Sequence, residues 1–325
     1  MSAEARPPSP SAPIRIGISS CLLGQEVRFD GGHKRDRFLT DTFGRFVEWV
    51  PVCPEVEAGL GTPREAIHLL ETGGERRVVG VKSGTDHTRA LEAQARKRVR
   101  ALAKADLCGY VLKRASPSCG MERVRVFQEK GMPRRDGRGL FAEVLMEALP
   151  LLPVEEEGRL CDPPLRENFV ERIFAYRRMR DLFHGRWTAG AVVAFHTAHK
   201  LQLMAHSPVA YRELGRLVAG VKDAPRAEFR AEYEAGFMTA LSKKASPGRN
   251  RNVLEHMLGY LRDSLDPASR AEIAGLIQDY YAQLVPLVVP LSLLRHYVRK
   301  LEVGYLLGQS YLQPHPKELM LRNHV

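Results

Sequence analysis

Three of the five cysteines occupy the same kind of position, close behind a short apolar run. Cys21 follows the run "IRIGIS", Cys53 follows "FVEWVPV", and Cys119 comes a few residues after "DLCGYVL". Each run is typical of a buried strand. Because the carboxyl ends of parallel strands meet at one crevice, where α/β proteins place ligands, we expect these chain-distant thiols to lie close together.

Converging thiolates suit a soft metal ion or an iron–sulfur cluster. A [4Fe–4S] cube held by three cysteines leaves one iron without a protein ligand, and that iron can bind a substrate atom as a Lewis acid. The alternative for any single cysteine is a small buried residue, and we predict such a packing role for Cys108, inside a strand, and for Cys161, in a linker. The odd cysteine count and the absence of a CxxC pair argue against a disulfide framework and a zinc ribbon.

The elements that must position these cysteines alternate between strand and helix signals over residues 14–160. The clearest helix is predicted over 86–105, with Thr88 as its cap. Its apolar stripe comprises Leu91, Ala95, Val99 and Leu102. A further helix is predicted in "GLFAEVLMEALP". This alternation predicts a Rossmann-like α/β domain with a mostly parallel sheet in three layers.

The rest of the chain differs in composition. The stretch "LPVEEEGRLCDPPLREN" predicts a linker or a short final strand, and residues 161–325 then carry helical spacing almost throughout, which predicts an all-α domain. Residues 1–13 are rich in Pro and Ser and are predicted to be a disordered leader. They contain no apolar signal region, and no apolar run approaches the roughly 20 residues that span a bilayer. We therefore expect a cytoplasmic protein without a membrane partner.

The charge of the chain suggests a polyanionic partner. The formal net charge is +11, and residues 161–325 supply +7 of it. This balance favours nucleic acid as a partner, although an ordinary basic soluble protein is the alternative. The stretch "LSKKASPGRNRN" (241–252) is either a phosphate-binding segment or a solvated loop. Its candidate RNA-binding residues are Lys243, Lys244, Arg249 and Arg251.

Three histidines have spacing that is compatible with a metal site. His196 and His199 are three residues apart in a predicted helix, and His206 follows seven residues later, so that all three can share one face. No acidic fourth ligand is evident nearby. We therefore predict core or RNA-facing histidines rather than metal ligands.

Three motifs resemble those of the thiouracil desulfurase family: "SSCLLGQEVRFDGGHKRD", "VPVCPEVEAGLGTPREA" and "KRASPSCG". They occur in the family's order, and the resemblance covers residues 14–160. The second half, with "FHTAHKLQLMAHS" and "RNVLEHMLGY", resembles a helical domain that is fused to such desulfurases. This arrangement is similar to that of bacterial desulfidases acting on 4-thiouridine in tRNA or on its nucleotide.

The resemblance implies a [4Fe–4S] cluster held by Cys21, Cys53 and Cys119, with one open iron for a thiocarbonyl sulfur. It also implies catalytic roles for Glu55, as the base that activates water, and for Ser116, which relays a proton or bonds to the heterocycle. The alternatives are a turn cap for Glu55 and a loop cap for Ser116. The implied reaction converts 4-thiouridine to uridine and releases hydrogen sulfide, without net redox change.

Four further residues are candidates for substrate contact: Asp30, Arg64, Lys113 and Ser118. Asp30 is alternatively an ordinary turn residue, and Arg64 is alternatively a surface residue rather than a phosphate ligand. Two rival functions remain open. One alternative to the 4-thiouridine desulfidase is a desulfurase that detoxifies free thiouracil, and the other is a cluster-bearing nucleic-acid sensor without turnover.

Overall fold

The computed structural model describes residues 13–324, so that the predicted leader lies outside the described residues except for residue 13. The chain divides into two compact units, and the boundary falls between Asp162 and Pro163. This is two residues beyond the boundary expected from the sequence. The first unit contains both strands and helices, and the described residues of the second, 163–324, form only helices and short helical turns.

The strands of the first unit build two four-stranded sheets. In chain order they are β1 (Arg15–Ser19), β2 (Glu48–Val52), β3 (Ile67–Thr72), β4 (Glu75–Gly80), β5 (Leu107–Leu112), β6 (Val124–Gln128), β7 (Arg134–Gly137) and β8 (Val154–Glu156). The helices are α1 (Pro54–Glu57), α2 (Thr88–Ala103) and α3 (Leu140–Ala148).

The first sheet has the order β2-β1-β5-β8, and all its strand pairs are parallel. The predicted parallel α/β architecture is therefore confirmed. Ile16 and Ile18 of β1 are completely buried, as expected for a central strand with both faces covered. The chain leaves β1 toward β2 on one side and later reaches β5 on the other. The order of the strands thus reverses at β1, which is where open α/β sheets bind ligands.

Helix α2 confirms the predicted apolar stripe but not its predicted cap. The buried residues of α2 are Leu91, Ala95, Val99 and Leu102. The cap prediction for Thr88 is wrong because its Oγ1 instead accepts the N–H of Val78 at 2.8 Å. His87 occupies the N-cap position, and the N–H of Thr88 donates to the carboxylate of Asp86 at 2.9 Å.

The second sheet, β4-β3-β6-β7, was not predicted. Strands β3 and β4 form an antiparallel hairpin, β3 and β6 are parallel, and β6 and β7 are antiparallel. The hairpin turns through Gly73 and Gly74, whose φ angles are +61° and +83°. A two-residue turn with positive φ at both positions matches the twist of the flanking strands, and glycine adopts it without strain.

The second unit is helical, as predicted. Its helices are α4 (Pro163–Phe183), α5 (Ala189–His206), α6 (Pro208–Ala219), α7 (Arg226–Ser242), α8 (Pro247–Leu261), α9 (Pro267–Tyr281), α10 (Val288–Lys300) and α11 (Gly304–Leu307). Helices α6, α8 and α9 start in the same way. Ser207, Ser246 and Asp266 accept a backbone N–H of the first turn, and a proline follows directly. Side-chain caps and proline at the first position both favour helix initiation. No helix within residues 13–324 is long and apolar enough to cross a membrane.

Candidate active site

The carboxyl ends of three adjacent parallel strands carry the three cysteines. Cys21 lies in the 3-10 turn Ser20–Leu23 directly after β1, Cys53 is the N-cap of α1 directly after β2, and Cys119 lies in the loop after β5. All three line one cavity of about 370 Å³. The structure thus brings together thiols that are separated by up to 98 positions in the chain.

Burial raises the pKa of each of the three thiols. The pKa of Cys21 rises from 9.0 to about 11, and that of Cys119 rises well above its ordinary value. Burial also raises the pKa of Cys53, although hydrogen bonds from the backbone N–H groups of Val56 and Glu55 oppose the change. As free thiols these groups are protonated at neutral pH, so that a bound cationic centre is needed to hold them as thiolates.

The loop after β5 is held closed by hydrogen bonds between its own residues. The Oγ of Ser116 accepts the N–H groups of Ser118 at 3.2 Å and Cys119 at 3.0 Å, and the N–H of Gly120 donates to the carbonyl of Ser116 at 2.8 Å. A Cβ on Gly120 would lie 2.8 Å from that carbonyl oxygen and 2.3 Å from a methyl group of Val124. Ser116 therefore caps the loop. It also lines the cavity, and its hydroxyl proton remains available as a donor.

Glu55 and Arg64 form an ion pair in the wall of the same cavity. The side chain of Glu55 is 13% exposed and that of Arg64 is 6% exposed. Arg64 also donates to the carbonyls of Val27 at 3.0 Å and Gly61 at 2.8 Å. The guanidinium is thus committed to protein acceptors, which argues against the predicted contact of Arg64 with a substrate phosphate.

Other cations surround the thiols. Lys113 lines the cavity, pairs with Glu157, and acts with Arg28 to oppose the rise in the pKa of Cys21 that burial causes. Lys34 lines the cavity as well. The cavity therefore combines sulfur ligands with positive charge, a combination that suits an anionic cluster or an anionic substrate.

Two predicted substrate contacts lie outside the cavity. Asp30 is exposed, pairs with Arg28, and accepts the N–H of Gly32 at 3.1 Å, which is the turn role considered as its alternative. Ser118 is 1% exposed and its Oγ has no hydrogen-bond partner within the described chain, but it does not line the cavity. The lining of the cavity thus includes neither side chain, although Ser118 directly precedes Cys119 in the chain.

Phe29 is a cavity residue that the sequence did not single out. It lies in the cavity wall beside Arg28, whose guanidinium carbon is 5.3 Å from the centre of the phenyl ring. The backbone carbonyl of Phe29 accepts the N–H of Arg64 at 2.9 Å. The available signal was an aromatic residue within the polar turn "RFDGG", where a large apolar side chain has no obvious core to enter.

Two cysteines stay outside the site. Cys108 is completely buried in β5, which confirms its packing role. Cys161 is exposed, so that the packing prediction is wrong for this residue. It ends the short turn Arg159–Cys161, where the chain leaves the first unit for the second.

The predicted basic segment of the second unit is partly structural. Arg249 donates to the carbonyls of His206 at 2.9 Å and Lys244 at 2.7 Å and to the Oγ of Ser246 at 3.1 Å. Arg251 pairs with Glu255 at 2.7 Å. The contacts of Arg249 argue against phosphate binding by that residue, whereas the ion pair of Arg251 is partly exposed and its RNA-binding role stays a prediction.

The two lysines and the histidines of this unit differ in exposure. Lys243 and Lys244 are exposed and their RNA-binding role stays a prediction. His196, His199 and His206 are all buried, which confirms core positions. His206 pairs with the buried Glu171 at 3.4 Å.

Within residues 13–324, no group of three His, Cys, Asp or Glu side chains is arranged around a single metal ion. This does not conflict with the shared cavity of the cysteines. The ligands of a tetrahedral zinc ion bind one atom at about 2.3 Å and crowd together. The ligands of a [4Fe–4S] cube bind different irons and stand further apart. Two buried thiols and one partly buried thiol, with nearby cations around one cavity, fit the larger group.

Comparison with known proteins places these observations in a family. The uncharacterized protein YbgA of Escherichia coli is 33% identical over 153 residues, which are 47% of this chain and 90% of YbgA. The uncharacterized protein YbbK of Bacillus subtilis is 34% identical over 113 residues, which are 32% of this chain and 72% of YbbK. The family model described as 2-thiouracil desulfurase matches residues 16–157, which include the whole cavity. The chain belongs to the 2-thiouracil desulfurase family.

The helical unit matches a different family model. A model described as a protein of unknown function (DUF1722) matches residues 200–316. A solved structure, the [4Fe–4S]-dependent thiouracil desulfidase TudS, is 30% identical, and the alignment covers 48% of this chain and 99% of TudS with a TM-score of 0.39. The match to the 2-thiouracil desulfurase model, at residues 16–157, and the cavity both lie in the first unit.

Proposed function

We propose that this protein is a [4Fe–4S]-dependent desulfidase that converts 4-thiouridine, in tRNA or as the monophosphate, to uridine and hydrogen sulfide. The observation that carries the proposal is the shared cavity of Cys21, Cys53 and Cys119, with Glu55 and Ser116 in the same wall. The membership of residues 16–157 in the 2-thiouracil desulfurase family supports it.

The three cysteines would hold the cluster through their thiolates. When bound, the cluster supplies a Lewis acid that polarises a thiocarbonyl group. The reaction exchanges C=S for C=O with one water, so that hydrogen sulfide leaves and no external oxidant or reductant is consumed. To hold the cluster, Cys21, Cys53 and Cys119 would have to give up their thiol protons, which burial otherwise favours keeping because it raises the pKa of each thiol.

The protein side chains handle the protons and orient the substrate. Arg64 binds only Oε2 of Glu55, and Oε1 would accept the proton of the attacking water. The hydroxyl of Ser116 would donate to the heterocycle, because its lone pairs already accept two backbone N–H groups. Lys34 and Arg28 would attract the phosphate of a nucleotide, and Phe29 offers a ring against which a pyrimidine can pack.

The test begins with the cluster. Anaerobically purified protein should contain about four irons per chain, and Cys21→Ala, Cys53→Ala and Cys119→Ala should each lose the iron and its absorbance while remaining folded. Cys161→Ala, which removes an exposed thiol outside the cavity, is the matched control and should retain both. Full iron content in any of the three cavity variants would refute the assigned ligand set.

The substrate requires a second experiment. Sulfide release should be compared anaerobically for thiolated tRNA, 4-thiouridine monophosphate and free 2-thiouracil. Turnover of the first two, with little on the base, supports the proposal. Turnover of the free base alone would favour a thiouracil detoxification enzyme, and a loaded cluster without turnover of any of them would favour a nucleic-acid sensor.

A further inference from the structure

A second groove lies beside the active-site cavity in the same unit. Its volume is about 750 Å³, and the two cavities share four lining residues, so that one extended ligand could occupy both. The shared residues are Ile67, Arg114, Ala115 and Pro117. We call this second cavity the sheet groove, because strands β3 and β6 of the second sheet contribute to its lining. The lining also includes two aromatic side chains and three arginines: His68, Phe127, Arg123, Arg125 and Arg135.

The sheet groove carries unpaired positive charge. Arg123, Arg125 and Arg135 are exposed, and none of their guanidinium groups has an ion pair or hydrogen bond with any residue of the described chain. An arginine that serves only the fold is usually committed to carboxylates or carbonyls, as Arg249 is here. Three uncommitted guanidinium groups along one groove suit a ligand with repeated negative charges.

The carboxylates of the groove do not neutralise this charge. Glu122 pairs with Arg159 at 2.9 Å, and Glu156 accepts the N–H of Met121 at 2.7 Å. Both acids are therefore held by protein donors. The charge that a ligand would meet in the groove is positive.

Two flat rings lie side by side in the groove. His68 of β3 and Phe127 of β6 have ring centroids 4.7 Å apart, and both side chains are partly exposed. Alternation along β6 buries Val126 and turns Arg125 and Phe127 to the other face of the strand. The aromatic ring and an uncommitted arginine thus share one face of the second sheet. Stacked bases and bound phosphates require this combination, whereas an acidic peptide has no need of the rings.

We propose that the sheet groove binds a single-stranded RNA segment adjoining the nucleotide that enters the active site, with bases against His68 and Phe127 and phosphates on the three arginines. The identity of the ligand rests on the proposed desulfidase function, and this inference narrows that ligand to a polynucleotide. A single strand is specified because only unstacked bases present their faces to side chains.

Binding is tested with full-length protein and an unmodified 12-nucleotide oligouridylate, so that no chemistry is required. Fluorescence anisotropy is measured across a range of salt concentrations. The triple variant Arg123→Ala, Arg125→Ala and Arg135→Ala should bind more weakly than the wild type. Its log–log salt slope should flatten by about 2, since each single-strand phosphate contact contributes about 0.7.

The matched control removes three exposed arginines from α2 in the same unit: Arg89→Ala, Arg96→Ala and Arg100→Ala. It changes the net charge by the same amount and should keep the wild-type slope. An equal loss in both triple variants would show a general charge effect and overturn the proposal. Wild-type binding by the groove variant would overturn it as well.

The stacking contact is tested separately. Phe127→Ala should weaken oligouridylate binding about 5- to 100-fold, and Phe127→Trp should restore it, because an indole also presents a flat face. No effect of Phe127→Ala would exclude the ring from the RNA site.

Kinetics separate this proposal from the proposed function. The groove triple variant should lose at least tenfold more kcat/KM on a single-stranded RNA that contains 4-thiouridine than on 4-thiouridine monophosphate. Equal losses would overturn the groove assignment while leaving the desulfidase intact. If the wild type turns over neither substrate, the proposed function fails, and the oligouridylate measurements still decide whether the groove binds RNA.

Discussion

Arg64 directs two donors, Nε and Nη2, to the same carboxylate oxygen of Glu55, Oε2, at 3.0 and 2.5 Å. The other oxygen, Oε1, receives no hydrogen bond from the residues that the structure describes. The guanidinium therefore fixes the carboxylate and leaves one oxygen with its lone pairs available. A base that must take a proton from water needs this arrangement, whereas a purely structural pair gains most when both oxygens are bound.

Replacing Glu55 should separate catalysis from cluster binding. Glu55→Gln keeps the shape of the side chain but removes the base, and we expect unchanged iron content with kcat lowered by about 10²- to 10⁴-fold. Anaerobic sulfide release and iron analysis of the same preparation measure both quantities. A near-normal rate would remove Glu55 from the mechanism.

Arg64 should behave as a positioning residue. Arg64→Ala leaves a largely buried carboxylate without its partner, which we expect to cost about 3 kcal/mol of stability and more than tenfold in kcat. Arg64→Lys retains the charge and should recover part of the rate. If both variants lose stability but keep the wild-type rate, the pair only supports the fold.

Gly120 should be required for the position of Cys119. Gly120→Ala places a methyl group against the carbonyl oxygen of Ser116, which the loop cannot move without breaking its own hydrogen bonds. We expect a destabilisation of about 1–3 kcal/mol together with reduced iron content. Gly275→Ala is the control, because Gly275 lies within α9 with open space at its Cβ position. It should be neutral or stabilising in thermal unfolding.

Within the basic segment 241–252, we expect one arginine to stabilise the fold and two lysines to have no effect on stability. Arg249→Ala removes donors to two carbonyls and a hydroxyl and should lower the thermal unfolding temperature by several degrees. Lys243→Ala and Lys244→Ala remove exposed charges and should leave that temperature within about one degree. Any effect of the lysine variants on tRNA binding can then be assigned to lost phosphate contacts. An unchanged unfolding temperature in Arg249→Ala would contradict its structural role.

The buried pair of His206 and Glu171 should make stability depend on pH. Burial alone lowers the pKa of His206, but the charge and hydrogen bond of Glu171 outweigh it, and the pKa is raised above 6.5. The stabilisation from this group is therefore fully present below pH 6.5 and is lost as the pH rises through the folded pKa. Denaturant unfolding between pH 6 and 9 should show this decline.

Glu171→Gln removes the charge that raises the pKa of His206, so the decline should disappear in that variant. His184→Ala, which removes an exposed histidine, is the control and should follow the wild-type curve. A wild-type decline in Glu171→Gln would exclude the pair as its origin.

The parallel sheet could be predicted because its strands are buried on both faces and appear as apolar runs in the sequence. The same signal located Cys21, Cys53 and Cys119 at its edge. The second sheet could not be found in this way, because β4 and β7 carry solvent-facing arginines and show little apolar alternation. The paired glycines between β3 and β4 were the available hairpin signal.

The pairing of side chains within the site could not be predicted from the sequence either. Glu55 and Arg64 are nine residues apart, and the turn that joins them determines whether they meet. The family resemblance therefore implied a role for Glu55, and Arg64 was a candidate for substrate contact, but the sequence did not identify them as partners. Similarly, the segment around Arg249 appears solvated in sequence, because its acceptors are backbone carbonyls of His206 and Lys244 that only the folded chain presents.

Because the three cysteines lie at the ends of different strands, folding must precede any binding of a cofactor to all three. Cysteines in a CxxC pair can capture a metal while the chain is still unfolded. Here β1 must already lie between β2 and β5 before Cys21, Cys53 and Cys119 share a cavity. The proposed cluster would therefore be delivered to a folded acceptor, and once bound by the three cysteines it would crosslink three strand ends that span about a third of the polypeptide. Such a crosslink removes conformations from the unfolded chain, so that loaded protein should outlast cluster-free protein under heat or protease.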